Sequence, residues 1–172
     1  MTTTARMGFA LLLPAVLSLA ACEGPAGKPE PPKAEATKSA AGERGFVSVK
    51  LASSAGDLPA ALKAEAAKAK AMGLKPYVEF WASWCGPCMA IKKNLDEPRM
   101  KAAFKGAYII ELNADEWSNK LSGTGMSAGV IPIFYQLDDE GKATGKKIDG
   151  GAWGDNIPAN MAPPLDKFFH GT

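Results

Sequence analysis

Cys85 and Cys88 are separated by Gly86 and Pro87 and are preceded by Trp84. Two thiols at this spacing can close into a disulfide and open again, which is the chemistry of thiol–disulfide exchange. A proline between them fits the first turn of a helix, where its missing N–H would have had no intrahelical partner. The spacing therefore predicts Cys85 at or just before a helix N-terminus, where unpaired N–H groups and the helix dipole favour its thiolate.

Three other uses of the cysteine pair remain open on spacing alone: half of a zinc site, a two-coordinate copper(I) site, and a purely structural disulfide. Zinc requires about four nitrogen or sulfur ligands, and beyond the pair the sequence contains one cysteine, Cys22, and one histidine, His170. A structural disulfide would not need the tryptophan and Gly-Pro residues around it. We therefore favour a redox function and predict no bound metal and no cofactor.

Residues 1–21 have the composition of an export signal. Arg6 precedes an apolar stretch over residues 8–19, which is too short to span a bilayer as a stable helix. Residues 19–22, Leu-Ala-Ala-Cys, resemble a bacterial lipobox, which implies cleavage before Cys22 and lipidation of that cysteine. The alternative is an ordinary signal peptide cleaved after an Ala-x-Ala-like site. Both predict export across the inner membrane, but only lipidation predicts an anchored protein.

The rest of the chain divides into two parts. Residues 22–45 mix Pro, Gly, Ala, Lys and Glu without apolar periodicity, so they are predicted to be a disordered tether; a proline-rich ligand for a partner domain is the alternative. Residues 46–172 have the length of one domain. The 172-residue sequence carries 20 Lys and Arg against 18 Asp and Glu, a balance that argues against a nucleic-acid surface.

The order of predicted elements gives the fold class. Apolar alternation predicts strands at residues 46–51, 75–81, 107–112 and 130–137 and near 146–148. Helices are expected at 57–72, where Asp57 would be the N-cap, and at 89–95, 99–104, 117–121 and 165–169. This βαβαβαββα order predicts an α/β fold with a mixed central sheet of about five strands and helices on both faces.

Four segments together resemble the thioredoxin family over residues 46–170. Residues 78–88 follow the active-site strand and loop of that family, and residues 111–115 follow the strand beside it. Ile131 and Pro132 match its cis-proline dipeptide, and residues 150–152 match a glycine-containing loop on the substrate side. Residues 96–99 also resemble a segment of the periplasmic C-terminal domain of the transmembrane disulfide reductase. The resemblance implies the thioredoxin fold.

The resemblance also implies roles for individual residues. Cys85 would attack a substrate disulfide as the nucleophile, and Cys88 would resolve the mixed disulfide. Pro132 would be cis and lie against the motif, although a trans proline at the start of a strand is the alternative. The residues expected to bind substrate are Trp84, Gly86, Pro87, Ile131 and Pro132.

Glu79 occupies the position where the family usually has a buried aspartate, six residues before the first cysteine. Burial of its carboxyl group should raise its pKa, so that it can accept the Cys88 proton; a glutamate at the sheet edge is the alternative. The lysine that the family commonly places on the neighbouring strand is replaced by Glu111, and Met89 replaces the lysine that usually follows the motif. We therefore expect Glu79 to lack a neighbouring cation and to be largely protonated near neutral pH, and Cys85 to be less acidic than in thioredoxin.

These inferences predict a membrane-tethered thiol–disulfide oxidoreductase in the bacterial cell envelope, facing the periplasm. Gly-Pro between the cysteines is the dipeptide of reducing thioredoxins, so we expect a monomeric reductant of protein disulfides that receives electrons from a membrane thiol reductase. Glu23 after the lipidated cysteine slightly favours the outer membrane over the inner. The alternative function is a lipoprotein that uses the same groove to hold a partner or a copper ion with little turnover.

Overall fold

The computed structural model describes residues 45–171. The predicted signal peptide, Cys22 and the predicted tether up to residue 44 lie outside the described residues, so these inferences stay predictions. Within residues 45–171, each helix is too short or too polar to cross a membrane.

A five-stranded sheet forms the centre of the domain. Its strands are β1 (Val47–Lys50), β2 (Lys75–Trp81), β3 (Ala107–Asn113), β4 (Ile133–Leu137) and β5 (Ala143–Asp149). Their order in the sheet is β1-β3-β2-β4-β5. The first three are mutually parallel, whereas β4 runs antiparallel to both β2 and β5. The predicted mixed sheet is confirmed, and β2, which leads into the cysteine motif, lies in its middle.

In the described part of the chain, residues 45–171, five α-helices accompany the sheet: α1 (Leu58–Ala71), α2 (Gly86–Asn94), α3 (Pro98–Phe104), α4 (Ala114–Trp117) and α5 (Pro158–His170). Short 3-10 helices occupy Ser53–Ala55, Ser118–Lys120 and Gly150–Ala152. The predicted N-cap of α1 is confirmed, because Asp57 Oδ2 accepts the Ala60 N–H at 3.0 Å. Gly73 follows that helix with a φ of +70°, which a glycine adopts without steric cost.

The two faces of the sheet carry separate apolar clusters. On β2, Val78 and Phe80 pack in the cluster that contains Leu58 and Leu62 of α1. Tyr77 packs in the opposite cluster, together with residues of α2, α3 and α5 (Ile91, Phe104 and Phe169). Alternate residues of a strand point to the same face, so Glu79 lies on the Tyr77 side. The helix that begins at the cysteine motif therefore covers the face that carries Glu79.

Strand β4 begins at Ile133, three residues later than predicted, because a proline precedes it. The Ile131–Pro132 peptide bond is cis, and Pro132 has no N–H to donate to a ladder. The expected cis-proline is confirmed. Residue 130 is consequently part of the loop that delivers Pro132 rather than of the strand.

Helices α4 and α5 both begin earlier than predicted, at 114 and 158 instead of 117 and 165. Asn113 caps α4 by accepting the Asp115 N–H at 3.0 Å. Pro163 and Pro164 lie inside α5, and their presence made the sequence pattern look non-helical there. The helix persists because one of its faces is buried in the same cluster as α3, through Met161, Ala162, Leu165 and Phe169.

Candidate active site

Cys85 and Cys88 lie at the N-terminus of α2 and are joined by a disulfide, with Cα atoms 5.3 Å apart. Cys85 is the N-cap residue, and Pro87 occupies the first turn, as predicted. The Cys88 N–H donates to Cys85 Sγ at 3.2 Å. A backbone donor aimed at this sulfur, added to the helix dipole, stabilises negative charge on Cys85 whenever the disulfide opens.

The pair is shielded almost completely from solvent. Cys85 is 4 % exposed and Cys88 is 0 % exposed. Ala82, Trp81 and Ile131 pack against the two sulfur-bearing residues. A partner disulfide can therefore approach Cys85 more readily than Cys88.

Pro132 is buried in the loop directly before β4, and Gly150 lies against it. The Gly150 N–H donates to the Pro132 carbonyl at 3.0 Å. A Cβ at position 150 would lie 3.3 Å from Pro132 Cδ and 3.7 Å from the Trp153 ring. A side chain in the loop at residues 150–152, which resembles the family's glycine loop, would therefore crowd the cis-proline at position 150, and Pro132 would have to shift by a few tenths of an ångström.

Trp84 presents the largest exposed apolar surface near the motif. It is 68 % exposed, and its indole Nε1 donates to both carboxylate oxygens of Asp115 at 3.1 Å. Asp115 lies at the start of α4, directly after β3. Residues 111–115 were expected to match a family strand, but no role had been predicted for Asp115. The hydrogen bonds from the indole indicate a role for Asp115, because they hold the exposed Trp84 ring in a fixed orientation.

Glu79 is buried as predicted, with 3 % of its surface exposed. Its neighbour on the parallel strand β3 is Glu111, and its neighbour on β4 is Phe134. Desolvation raises the pKa of Glu79 to about 8; the charge of Lys92 lowers this pKa and that of Glu111 raises it. The predicted burial is confirmed, and the structure establishes that Glu111 lies beside Glu79, which the sequence left open. This pKa leaves Glu79 largely protonated at neutral pH.

The expectation that Glu79 lacks a neighbouring cation is wrong. Lys92 of α2 places its Nζ 3.9 Å from Glu79 Oε2 and 2.5 Å from Glu111 Oε2. The lysine missing from β3 is therefore replaced by one from the motif helix. The spacing carried a signal for it, because Lys92 lies four residues after the buried Cys88 and so shares its helix face.

The two carboxyl groups belong to a larger polar cluster beneath α2. The Ser48 hydroxyl of β1 donates to Glu111 Oε1. Trp81 lies under two cations, with Lys92 Nζ at 4.2 Å and Lys50 Nζ at 5.2 Å from its ring. Within residues 45–171, Glu79 Oε1 is buried without a hydrogen-bond partner. One oxygen of Glu79 is therefore paired with a cation while the other stays free to hold a proton.

Glu79 lies near the C-terminal end of β2, the cysteine pair follows at the start of α2, and Ile131 of the cis-proline dipeptide packs against the pair. The parts suit thiol–disulfide exchange: a dithiol at a helix start, a buried titratable carboxyl group behind it and an apolar surface around it. Cys22 lies outside the described residues. Within residues 45–171, no three His, Cys, Asp or Glu side chains gather in a group that could hold a metal ion.

Comparison with known proteins matches the same region of the chain. The family profile described as Thioredoxin matches residues 63–162, which is more than half of the sequence. Thioredoxin 2 of Chlorobaculum tepidum is 40 % identical over 92 residues, covering 52 % of this chain and 74 % of that protein. Thioredoxin of Staphylococcus aureus (strain Mu50) is 34 % identical over 91 residues, covering 52 % and 78 %.

Among solved structures, the oxidised thioredoxin of Plasmodium falciparum superposes with a TM-score of 0.44 at 18 % identity, covering 72 % of this chain and 98 % of that one. The residues matched by the family profile include the cysteine pair, Glu79, Asp115, the cis-proline and Gly150. Since the profile matches more than half of this chain, and the relatives at 40 % and 34 % identity are matched over 74 % and 78 % of their length, the chain belongs to the thioredoxin family and is a thiol–disulfide oxidoreductase.

Proposed function

We propose that this protein is a lipid-anchored reductant of protein disulfides in the bacterial cell envelope, with Cys85 as nucleophile, Cys88 as resolving thiol and Glu79 as proton acceptor. The observation that carries the redox part is the position of Cys85 as N-cap of α2, with its sulfur receiving the Cys88 N–H. A thiolate is stabilised there without a basic side chain.

The reducing direction rests on how weakly the reduced form is stabilised. A strong oxidant of this fold stabilises its thiolate and so favours the dithiol. Here the residue after Cys88 is Met89, an exposed apolar side chain in place of a cation. Together with the Gly-Pro dipeptide, this favours a low reduction potential and therefore a reductant.

Protein substrates suit the surface around the pair. Trp84, Met89 and Val130 are large apolar residues that remain exposed, and they flank the motif and the cis-proline in sequence. Gly86, Pro87, Ile131 and Pro132 complete the proposed substrate-binding surface. An extended segment that carries a disulfide can bury apolar side chains there while its backbone pairs beside Pro132.

Tethering to the membrane, with a membrane thiol reductase as electron donor, is the part of the proposal that rests on sequence. The lipobox-like residues 19–22 support lipidation of Cys22, and Glu23 slightly favours the outer membrane. An exported reductant requires a supply of electrons, because the periplasm is kept oxidising. The signal peptide at 1–21, the tether at 22–45 and the domain at 46–172 serve this arrangement.

The reduction potential of the Cys85–Cys88 pair, with turnover of insulin as a model disulfide, tests the function. We expect a potential near the roughly −270 mV of thioredoxin and steady turnover; a value near the roughly −120 mV of a strong periplasmic oxidant would reverse the direction. Tight copper(I) binding without turnover would support the alternative of a copper-binding lipoprotein. For the anchor, the full chain should partition into detergent and incorporate labelled palmitate, and Cys22→Ser should do neither.

A further inference from the structure

Lys92 and Cys88 lie on one face of α2, one turn apart. Long side chains of a helix lean toward its N-terminus, so a residue covers the turn that precedes it. The Lys92 side chain therefore extends along the turn that carries Cys88. It is 18 % exposed, and its Nζ contacts the carboxyl groups of both Glu79 and Glu111.

The surroundings of Glu79 make this lysine distinctive. Helix α2 contributes Lys92, β3 contributes Glu111, and β4 contributes the apolar Phe134. From β1, Ser48 binds Glu111 and Lys50 lies over Trp81. Within residues 45–171, Glu79 thus forms one ion pair, with Lys92.

We propose that Lys92 is a positioning residue for the resolving step: its ammonium, shared between Glu79 and Glu111, enables Glu79 to take the Cys88 proton and remains beside the turn where the Cys88 thiolate forms. This inference rests on the proposed role of Glu79 as proton acceptor. It assigns the charge control of that acid to the helix that carries the thiols rather than to the neighbouring strand.

The step balances as follows. Cys88 transfers its proton to the Glu79 carboxylate, and its sulfur attacks Cys85 Sγ in the mixed disulfide. The Cys85–Cys88 bond forms as the bond from Cys85 to the substrate sulfur breaks, and that sulfur leaves with the electron pair as a thiolate. The protein dithiol has then been oxidised and the substrate disulfide reduced by two electrons.

The charges explain why a cation is required. A negative charge on Glu79 would face Glu111 across neighbouring strands in a buried site, where like charges repel strongly. Lys92 offsets that repulsion: it lowers the pKa of Glu79, which burial and Glu111 raise. With a pKa of about 8, roughly a tenth of Glu79 is ionised at pH 7, and this carboxylate fraction accepts the proton. Without the lysine, that fraction would be smaller still.

The test compares Lys92→Met with Lys93→Met. Lys93 is the next residue of α2 and is exposed, so its variant removes the same charge from the same helix. The measured quantity is the rate at which Cys88 releases a thiol from a mixed disulfide preformed on Cys85, followed from pH 6 to pH 10. We expect the midpoint of the profile to rise by about one pH unit or more in Lys92→Met, with about a tenfold slower release at pH 7. Lys93→Met should follow the unsubstituted protein, and Lys92→Arg should restore most of the rate.

Glu111→Gln provides a second measurement that does not depend on the folding of Lys92→Met. It removes the repelling charge and leaves Lys92 to Glu79, so the midpoint should fall. Identical profiles for Lys92→Met and Lys93→Met, or an unmoved midpoint in Glu111→Gln, would overturn the inference. Glu79→Gln separates this failure from failure of the proposed function. If Glu79→Gln leaves the pH profile unchanged, Glu79 is not the proton acceptor and the proposed function fails. If it flattens the profile, Glu79 is the acceptor and only the role of Lys92 is wrong.

Discussion

Replacing Glu79 by Gln should change how the stability of the oxidised protein depends on pH. Glutamine has nearly the same shape but cannot ionise, so the substitution isolates the cost of ionising a buried carboxyl group. Glu79 is buried and its pKa is raised from 4.5 to about 8 in the folded state. Below pH 4.5 the group is protonated in both folded and unfolded chains, and its favourable contribution to folding is fully present.

As the pH rises from 4.5 toward 8, the unfolded chain releases this proton while the folded chain retains it, so the contribution is lost progressively. Between pH 5 and pH 9 the loss amounts to about 4 kcal/mol, taken from 1.36 kcal/mol per pH unit across the shifted range. The unsubstituted protein should therefore lose about that much stability relative to Glu79→Gln over this interval. The difference in stability between Glu79→Gln and the unsubstituted protein should be largest above pH 8.

Guanidinium unfolding of both oxidised proteins at pH 5, 7 and 9 measures this difference directly. Glu140→Gln is the matched control, because Glu140 is an exposed glutamate in the turn between β4 and β5. The control should parallel the unsubstituted protein at every pH. If Glu79→Gln also ran parallel to it, the carboxyl group would be ionised in the folded state well below pH 8, and the reasoning from burial would be refuted.

Three further substitutions test other parts of the site. Asp115→Ala removes both acceptors of the Trp84 indole. Losing one hydrogen bond of about 1 kcal/mol should raise KM for a protein disulfide about fivefold, with little change in the free energy of unfolding. An unchanged KM would show that Asp115 does not position Trp84. Gly150→Ala places a methyl group 3.3 Å from Pro132 Cδ, and this crowding should lower the free energy of unfolding by about 1 kcal/mol and slow turnover. Unchanged stability and turnover would show that Pro132 shifts to accommodate the methyl group. Tyr108→Phe removes the 2.6 Å hydrogen bond to Glu65 on the opposite face of the sheet, so it should cost about 1–2 kcal/mol in stability while kcat/KM stays unchanged.

The parts of the site that depend on one continuous segment were predictable from sequence. Pro87 in a first turn placed Cys85 at the N-cap, and the family resemblance placed Glu79 at a buried strand position. The family resemblance supplied the cis bond before Pro132. In each case local chain geometry, or a motif that fixes it, determined the position.

Contacts between separate elements were harder to predict. Lys92 contacts Glu79 and Glu111 because α2 packs on the face of the sheet that carries them, and its spacing from Cys88 was the one local signal of that contact. Asp115 was likewise predictable as part of a segment but not as the partner of Trp84. The start of helix α5 was predicted seven residues too late because Pro163 and Pro164 interrupt its apolar pattern, whereas burial of one face stabilises the helix in the folded domain.

Trapping experiments with single-cysteine variants test most directly whether Cys85 attacks and Cys88 resolves. Each variant, Cys88→Ser and Cys85→Ser, is reduced, mixed with a disulfide-containing protein and assayed for a covalent complex on a non-reducing gel. Because Cys85 caps α2 and Cys88 is fully buried, Cys88→Ser should accumulate the mixed disulfide and Cys85→Ser should not. Equal trapping by both variants, or a complex formed by Cys85→Ser alone, would contradict the assignment of the nucleophile.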